Sequence, residues 1–234
     1  MKEKGMSLTE LLISMTVLSI ILVVICSVWF SIQRDTLIHK IDSELERGIS
    51  LATSNLRSDI LKATVIYTPG VSITIRDNSG SVYGVGNYNF VTNSQSLVVV
   101  VPKGNNTYRF GIYLTKQRTG SLYESTNPDA KILLYYSKDL SWNPTYSQGN
   151  IQNLVTSFTF TSGEPPKVLS DYLASDGFKV KYFYVSGGNF VELTTLNYTP
   201  SVRVQSVEVY LRALRRWGNF QRERTATITL APTF

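Results

Sequence analysis

From Leu11 to Gln33 the chain runs for 23 residues without a charge, LLISMTVLSIILVVICSVWFSIQ. Wound as a helix at 1.5 Å per residue, that run reaches roughly 34 Å, enough to cross the hydrocarbon core of a bilayer. Past Arg34 the pattern changes from apolar all round to a single stripe. Ile38, Ile41, Leu45, Ile49, Ala52, Leu56, Ile60 and Ala63 recur at spacings of three and four, with Lys40, Glu44, Glu46, Arg47, Arg57 and Asp59 among them. That is an amphipathic helix. No proline falls between Met1 and Thr68, so the pattern predicts one helix from about Ser7 to Ala63, roughly 85 Å long. Gly48 is its expected weak point, at about 1 kcal/mol relative to alanine.

From Thr64 onward the period changes to two. Val71–Ile75 alternates and is followed by the turn signal Asp77-Asn78-Ser79-Gly80, while Leu97–Val101 is a continuous apolar run closed by Pro102. Further strands are predicted at Tyr108–Leu114, Lys131–Tyr136, Val155–Thr161, Val180–Val185, Val202–Leu214 and Thr225–Leu230. About eight strands with no competing helical period imply an α+β fold: a long N-terminal α-helix packed on a mainly antiparallel β-sheet head domain, in one sheet or two. Thr119–Ala130 and Gly163–Asp176, the latter holding Pro165-Pro166, read as loops longer than ordinary connections. A membrane anchor followed by a coiled-coil stalk also fits the stripe taken alone. The strands beyond it favour a helix laid on its own head.

Composition supports an ordered, β-rich chain: 43% apolar, only 17% charged, with 14 tyrosines. The net charge of +6 bears on association with nucleic acid or anionic lipid, not on fold. A single Cys26, placed inside the apolar run, excludes an intramolecular disulfide and a cysteine-based metal cluster. The single His39 excludes a multi-histidine metal site.

Lys2 and Lys4 precede the apolar run, and the positive-inside rule then keeps the N-terminus cytoplasmic and sends everything after Arg34 across the membrane. A cleaved secretory signal is a poorer fit, because the run exceeds a 7–15-residue hydrophobic region and no small-x-small cleavage site follows it. Ile25 before Cys26 is also too bulky for lipoprotein processing. Glu10 stands at the edge of the run with no basic residue downstream to pair with. An ionised side chain there costs on the order of 2.5–3.5 kcal/mol near a helix centre, less at the interface, and so needs a partner. A Glu resting at headgroup level is the plainer alternative.

Lys4-Gly5-Met6-Ser7-Leu8-Thr9-Glu10-Leu11-Leu12 resembles the leader junction of type IV pilins and type II secretion pseudopilins, in which a prepilin peptidase cuts after the glycine. The resemblance implies a leader at 1–5, cleavage after Gly5, N-methylation of Met6, and a membrane-spanning assembly half over 6–33. An amphipathic half over 34–63 and a β-rich head over 64–234 complete the expected layout. Met6 stands where the family usually has phenylalanine. The resemblance also gives Glu10 a partner: the new amine of a neighbouring subunit, an acid–amine pair desolvated between packed helices. Many pilins have a kinking proline in the front half of the helix; this chain does not.

Two later segments extend the likeness. Ser206–Arg212 with Arg224–Leu230 is similar to the closing hairpin of PilW-type minor pilins and of minor pseudopilin J, and Asn55–Ile60 resembles the same group. Retention of Glu10 sets the chain apart from the tip pseudopilin K. The resemblance thus implies a minor subunit that initiates or caps a pilus-like filament. It would sit in the inner membrane with its head in the periplasm, and its partners would be other pilins or pseudopilins, prepilin peptidase and the assembly platform. The two long loops are candidates for contacts with those subunits.

A competing use is DNA capture by a competence-type pilus. Between Arg203 and Arg224 lie six arginines (Arg203, Arg212, Arg215, Arg216, Arg222, Arg224) against Glu208 and Glu223, a local balance of +4, with Trp217 and Phe220 interleaved. Phosphate attraction and base stacking would both be available there; a charged, solvated hairpin is the simpler reading. A hydrolase finds little support: there is no Gly-x-Ser-x-Gly, His-Glu-x-x-His or P-loop motif. Asp171 and Asp176 near Gly177 lack the dense acidic ligands of a calcium loop. No enzyme activity, metal or cofactor is expected. A membrane-anchored extracytoplasmic β-domain of unrelated role is the remaining alternative.

Overall fold

The computed structural model describes residues 7–118, 129–141, 145–147, 150–152, 154–194, 202–218 and 220–232. One helix, α1, runs from Leu8 to Lys62. The chain divides into two units, Met1–Ser43 and Glu44–Phe234, with the boundary inside α1.

In the first unit the side chains from Leu8 to Ile32 are exposed throughout, including Leu12, Val23 and Phe30. This part of α1 is long and apolar enough to cross a membrane. Several of its hydroxyls are satisfied by the helix itself: Ser14 donates to the Leu11 carbonyl (2.8 Å), Thr16 to Leu12 (2.8 Å) and Ser19 to Met15 (2.7 Å). Back-bonding of this kind lets a polar side chain sit in lipid without an unmet donor.

In the second unit the predicted stripe is buried: Leu45, Ile49, Ala52, Leu56, Ile60 and Ala63 all face the head. The strands are β1 (Val65–Ile66), β2 (Ser72–Asp77), β3 (Asn87–Val91), β4 (Ser96–Gly104), β5 (Thr107–Gln117), β6 (Lys131–Ser141) and β7 (Thr145–Ser147). They continue with β8 (Asn150–Gln152), β9 (Ser157–Phe160), β10 (Lys167–Ser186), β11 (Asn189–Leu193), β12 (Ser206–Trp217) and β13 (Phe220–Leu230). The main sheet has the order β1-β4-β5-β6-β10-β12-β13, with β11 also on β10; β3-β2-β9 forms a second sheet and β7-β8 a third. All pairings are antiparallel except β2 with β9.

The head is layered, with the rear of α1 on one face of the main sheet and the three-stranded sheet on the other. Val98, Val100, Phe110, Ile112, Leu134 and Tyr136 meet Ile73, Ile75, Phe158 and Phe160 in one core. The alternate residues of β5, Arg109, Gly111 and Tyr113, point to the helix side, where Asp59 lies. A strand buried on both faces has no reason to alternate, which explains the unbroken apolar run of β4.

Three expectations need correcting. Gly163–Asp176 is not one long loop, because from Lys167 the chain is already in β10. The strand is hard to read because its register slips near Val168–Leu173 against β6 and between Leu173 and Phe178 against β12. Bulges break the period of two. Gly177 sits in the second slip, where a Cβ would lie 2.3 Å from the Arg212 carbonyl oxygen. Gly48 is less a weak point than a close approach, since a Cβ there would stand 3.1 Å from Ser170 Oγ on β10. The strand count also rises from about eight to thirteen among the described residues, because β3 and β11 are exposed edge strands and β1, β7 and β8 are very short. Most of the other expected loop, 119–128, lies outside the described residues.

Candidate functional site

The helix opens on a capping box. Ser7 is the N-cap and Glu10 stands three residues on. The Ser7 amide donates to Glu10 Oε2 (2.9 Å), the Ser7 hydroxyl donates to the same oxygen (3.1 Å), and the Glu10 amide donates back to Ser7 Oγ (3.3 Å). Glu10 therefore has a partner inside its own chain, one that the Ser-x-x-Glu spacing signals and that a search for a basic partner passes over. Both bonds to the carboxylate fall on Oε2. Gly5 and Met6 lie outside the described residues.

At the rear of α1, Asp59 is buried and ionically held. Arg109 Nη2 donates to Oδ1 (2.7 Å) and the Tyr113 hydroxyl to Oδ2 (2.7 Å). Burial, then the charge of Asp59, pushes the Tyr113 phenol well above its ordinary value, so it stays a donor. This cluster ties the last turns of the helix to β5.

The arginines of the closing hairpin divide into two groups. Arg212 clasps Glu223 on the facing strand through Nε (3.0 Å) and Nη2 (3.1 Å), and also reaches Asp176 (3.5 Å). Arg215 continues the inward face set by Val207, Val209, Leu211 and Ala213, and is only 7% exposed. It pairs with Glu44 on α1 and lies over the Tyr172 ring at 4.4 Å, while Arg118 covers the same ring at 4.3 Å and holds Asp171 (2.8 Å). Tyr172 takes a left-handed backbone (φ 56°) at the bulge of β10, a conformation that costs a non-glycine residue on the order of 1–3 kcal/mol unless its surroundings enforce it. The two guanidiniums stack against it there. Arg216, Arg222 and Arg224 are exposed; Arg216 Nε donates to Gln221 (3.2 Å) and Arg224 Nη1 to the Glu223 carbonyl (3.2 Å). Trp217 is half-buried opposite Phe220, and Arg203 lies apart from the hairpin, before β12.

Residues 1–25 match the prokaryotic N-terminal methylation motif. The match takes in Gly5, Met6, Ser7 and Glu10 and the front of the apolar helix, and marks this end of the chain as type IV pilin-like. No curated protein and no solved structure matches the chain. The role of the head rests on its own geometry. Among the described residues no group of three or more His, Cys, Asp or Glu side chains is placed to hold a metal ion.

Proposed function

We propose that the chain is a minor, non-catalytic subunit of a type IV pilus-like or type II secretion filament, cut after Gly5 by a prepilin peptidase and methylated on Met6. The observation that carries this is the methylation motif over residues 1–25, running directly into a capped helix whose front half is apolar and exposed. A signal peptide ends after its apolar region. Here the same helix continues as the buried stripe of a folded head, which supports a cut before the helix over one behind its apolar run. Motif-bearing chains of this kind are structural subunits. Their assembly partners are other major and minor pilins or pseudopilins and an inner-membrane platform, and the head lies on the periplasmic side.

Intact mass of the membrane-extracted protein tests the reading, produced with and without a prepilin peptidase and as a Gly5→Ala variant. A peptidase-dependent loss of residues 1–5 that the variant abolishes is the expected result. An unchanged mass, or a cut beyond the apolar run, would favour a simple anchored β-domain. The competence reading is tested by salt. Arg216, Arg222 and Arg224 together give a log–log slope of about −2.7 for DNA binding if all three contact phosphate. The subunit reading expects a triple glutamine variant to leave DNA binding unchanged.

A further inference from the structure

The strands of the main sheet meet the rear of α1 in order. Asp59 is held by Arg109 and Tyr113 of β5, Gly48 lies against Ser170 of β10, and Glu44 pairs with Arg215 of β12. Stepping through the sheet from β5 to β12 therefore steps back along the helix from Asp59 to Glu44. β13 is the next strand in the same direction, so it borders the head at the end where α1 runs on toward Arg34.

Chain length bounds the distance from this border to the apolar run. Glu44 comes eleven residues after Gln33, so no more than about 16 Å of helix separates it from the end of the run. Headgroups occupy roughly 5–7 Å beyond the hydrocarbon, and β13 adds a further strand spacing of about 4.8 Å to β12. The gap left, on the order of 5 Å, is inside the screening length of about 8 Å at physiological salt.

The side chains of the border suit an anionic surface. Arg216, Arg222 and Arg224 are exposed, while the nearby acids are engaged, Glu223 by Arg212 and Glu44 by Arg215. Trp217 and Phe220 face each other where the hairpin closes, the first half-buried and the second 38% exposed. Rings of this kind settle at the boundary between headgroups and acyl chains, and guanidinium groups beside them bind lipid phosphate. From Thr225 to Leu230 the strand carries no charge, which confines the cationic part to the hairpin end.

We propose that the hairpin end of β12 and β13 docks on anionic lipid headgroups of the membrane that holds α1, through Arg216, Arg222 and Arg224. The proposal rests on the reading of the front of α1 as a membrane span. A nucleic acid offers the same phosphodiester, but only the lipid surface is brought within reach by the chain itself. Each basic side chain held at such a surface strengthens the attraction about five-fold, so the three together favour the docked head by about a hundred-fold.

The test uses the full chain in nanodiscs, in a Cys26→Ser background, with a bimane fluorophore on Gln221→Cys and a headgroup-spin-labelled lipid as quencher. Quenching in discs of mixed phosphatidylglycerol and phosphatidylcholine should exceed that in pure phosphatidylcholine discs by about three-fold or more. It should fall to the phosphatidylcholine level at high salt, and also in Arg216→Gln/Arg222→Gln/Arg224→Gln at an unchanged melting temperature. The triple lysine counterpart keeps the charge and should keep the quenching. Ile32→Cys, near the end of the apolar run, reports the span itself and should be quenched in both lipids. Equal quenching of Gln221→Cys in the two lipids, with Ile32→Cys quenched, would overturn the docking alone. Absence of quenching at Ile32→Cys would overturn the span and the docking with it. Quenching of Gln221→Cys at the phosphatidylcholine level throughout, together with binding of a DNA duplex that the triple glutamine variant loses, would give the arginines to nucleic acid instead.

Discussion

Replacing Asp59 by alanine removes one group and strands two. The side chain of Asp59 is 6% exposed and that of Arg109 30% exposed, so the guanidinium can turn toward solvent, whereas the buried Tyr113 hydroxyl cannot. Breaking a buried ion pair from one side commonly costs about 3–5 kcal/mol. The partial exposure of Arg109 discounts this toward the lower end, and the stranded hydroxyl adds a part of the ~1–3 kcal/mol of an unmet buried donor. About 3 kcal/mol is the expected loss. For a domain of this size each kcal/mol lowers the melting temperature by roughly 2–4 °C, so Asp59→Ala should melt about 6–12 °C below the parent, followed by circular dichroism of the full chain in detergent. Asp59→Asn keeps an acceptor for Tyr113 and should lose about half as much. The double variant Asp59→Ala/Tyr113→Phe should lose less than the sum of the singles, because the hydroxyl is no longer stranded. A shift under about 2 °C for Asp59→Ala, or strict additivity in the double variant, would refute the view that this cluster holds the helix to β5.

The head yields two more expected outcomes. Gly177→Ala drives a Cβ to 2.3 Å from the Arg212 carbonyl oxygen, so it should separate β10 from β12 and destabilise by about 1–3 kcal/mol or more, read as a lowered denaturation midpoint. Asp77 accepts bonds from the Ser79 and Val85 amides and the Tyr136 hydroxyl, and these outweigh desolvation and hold its carboxyl below the usual range. A carboxyl lowered on folding contributes stability that is present above its unfolded value, near pH 3.9, and is lost as the pH falls through the folded value. Asp77→Asn should therefore flatten the acid limb of the melting curve below about pH 4; an unchanged limb would assign acid sensitivity to other carboxylates.

Local periodicity is legible in sequence; long-range pairing is not. The stripe from Leu45 to Ala63 and the closing hairpin can be read because burial on one face imposes a period that the residues repeat. The second half of β10 is legible as a strand at Val180–Val185, but its first half, from Lys167, is not, since two register slips and Gly177 break its alternation. β3, with nearly every residue exposed, has no buried face to leave a pattern. The inward position of Arg215 is available in principle, as the next odd residue after Val207, Val209, Leu211 and Ala213. Charge composition alone groups it with the exposed arginines. Nothing local joins Asp59 to Arg109, fifty residues away. Asp59 lies three residues after Leu56, at the border of the stripe, which hints at burial but names no partner.

Glu10 holds the start of its own helix and is proposed to act between subunits as well, two roles that a single substitution would confuse. In its own chain it completes the capping box with Ser7, worth about 0.5–2 kcal/mol to the start of the helix; between subunits it would offer a negative charge to the amine freed at Met6. The two roles separate because a glutamine can occupy the same position of a capping box but cannot form an ion pair. Glu10→Gln keeps the cap and removes the charge, while Ser7→Ala removes the N-cap side chain and keeps the charge. The bonds described all use Oε2, so the cap leaves Oε1 for an incoming amine and the roles need not exclude each other. If the charge governs assembly, Glu10→Gln should enter filaments poorly, measured as the fraction of processed subunit in the sheared filament pool, and Ser7→Ala should enter nearly as well as the parent. Failure of Ser7→Ala with normal entry of Glu10→Gln would mean that the acid serves the helix start and not the neighbouring subunit.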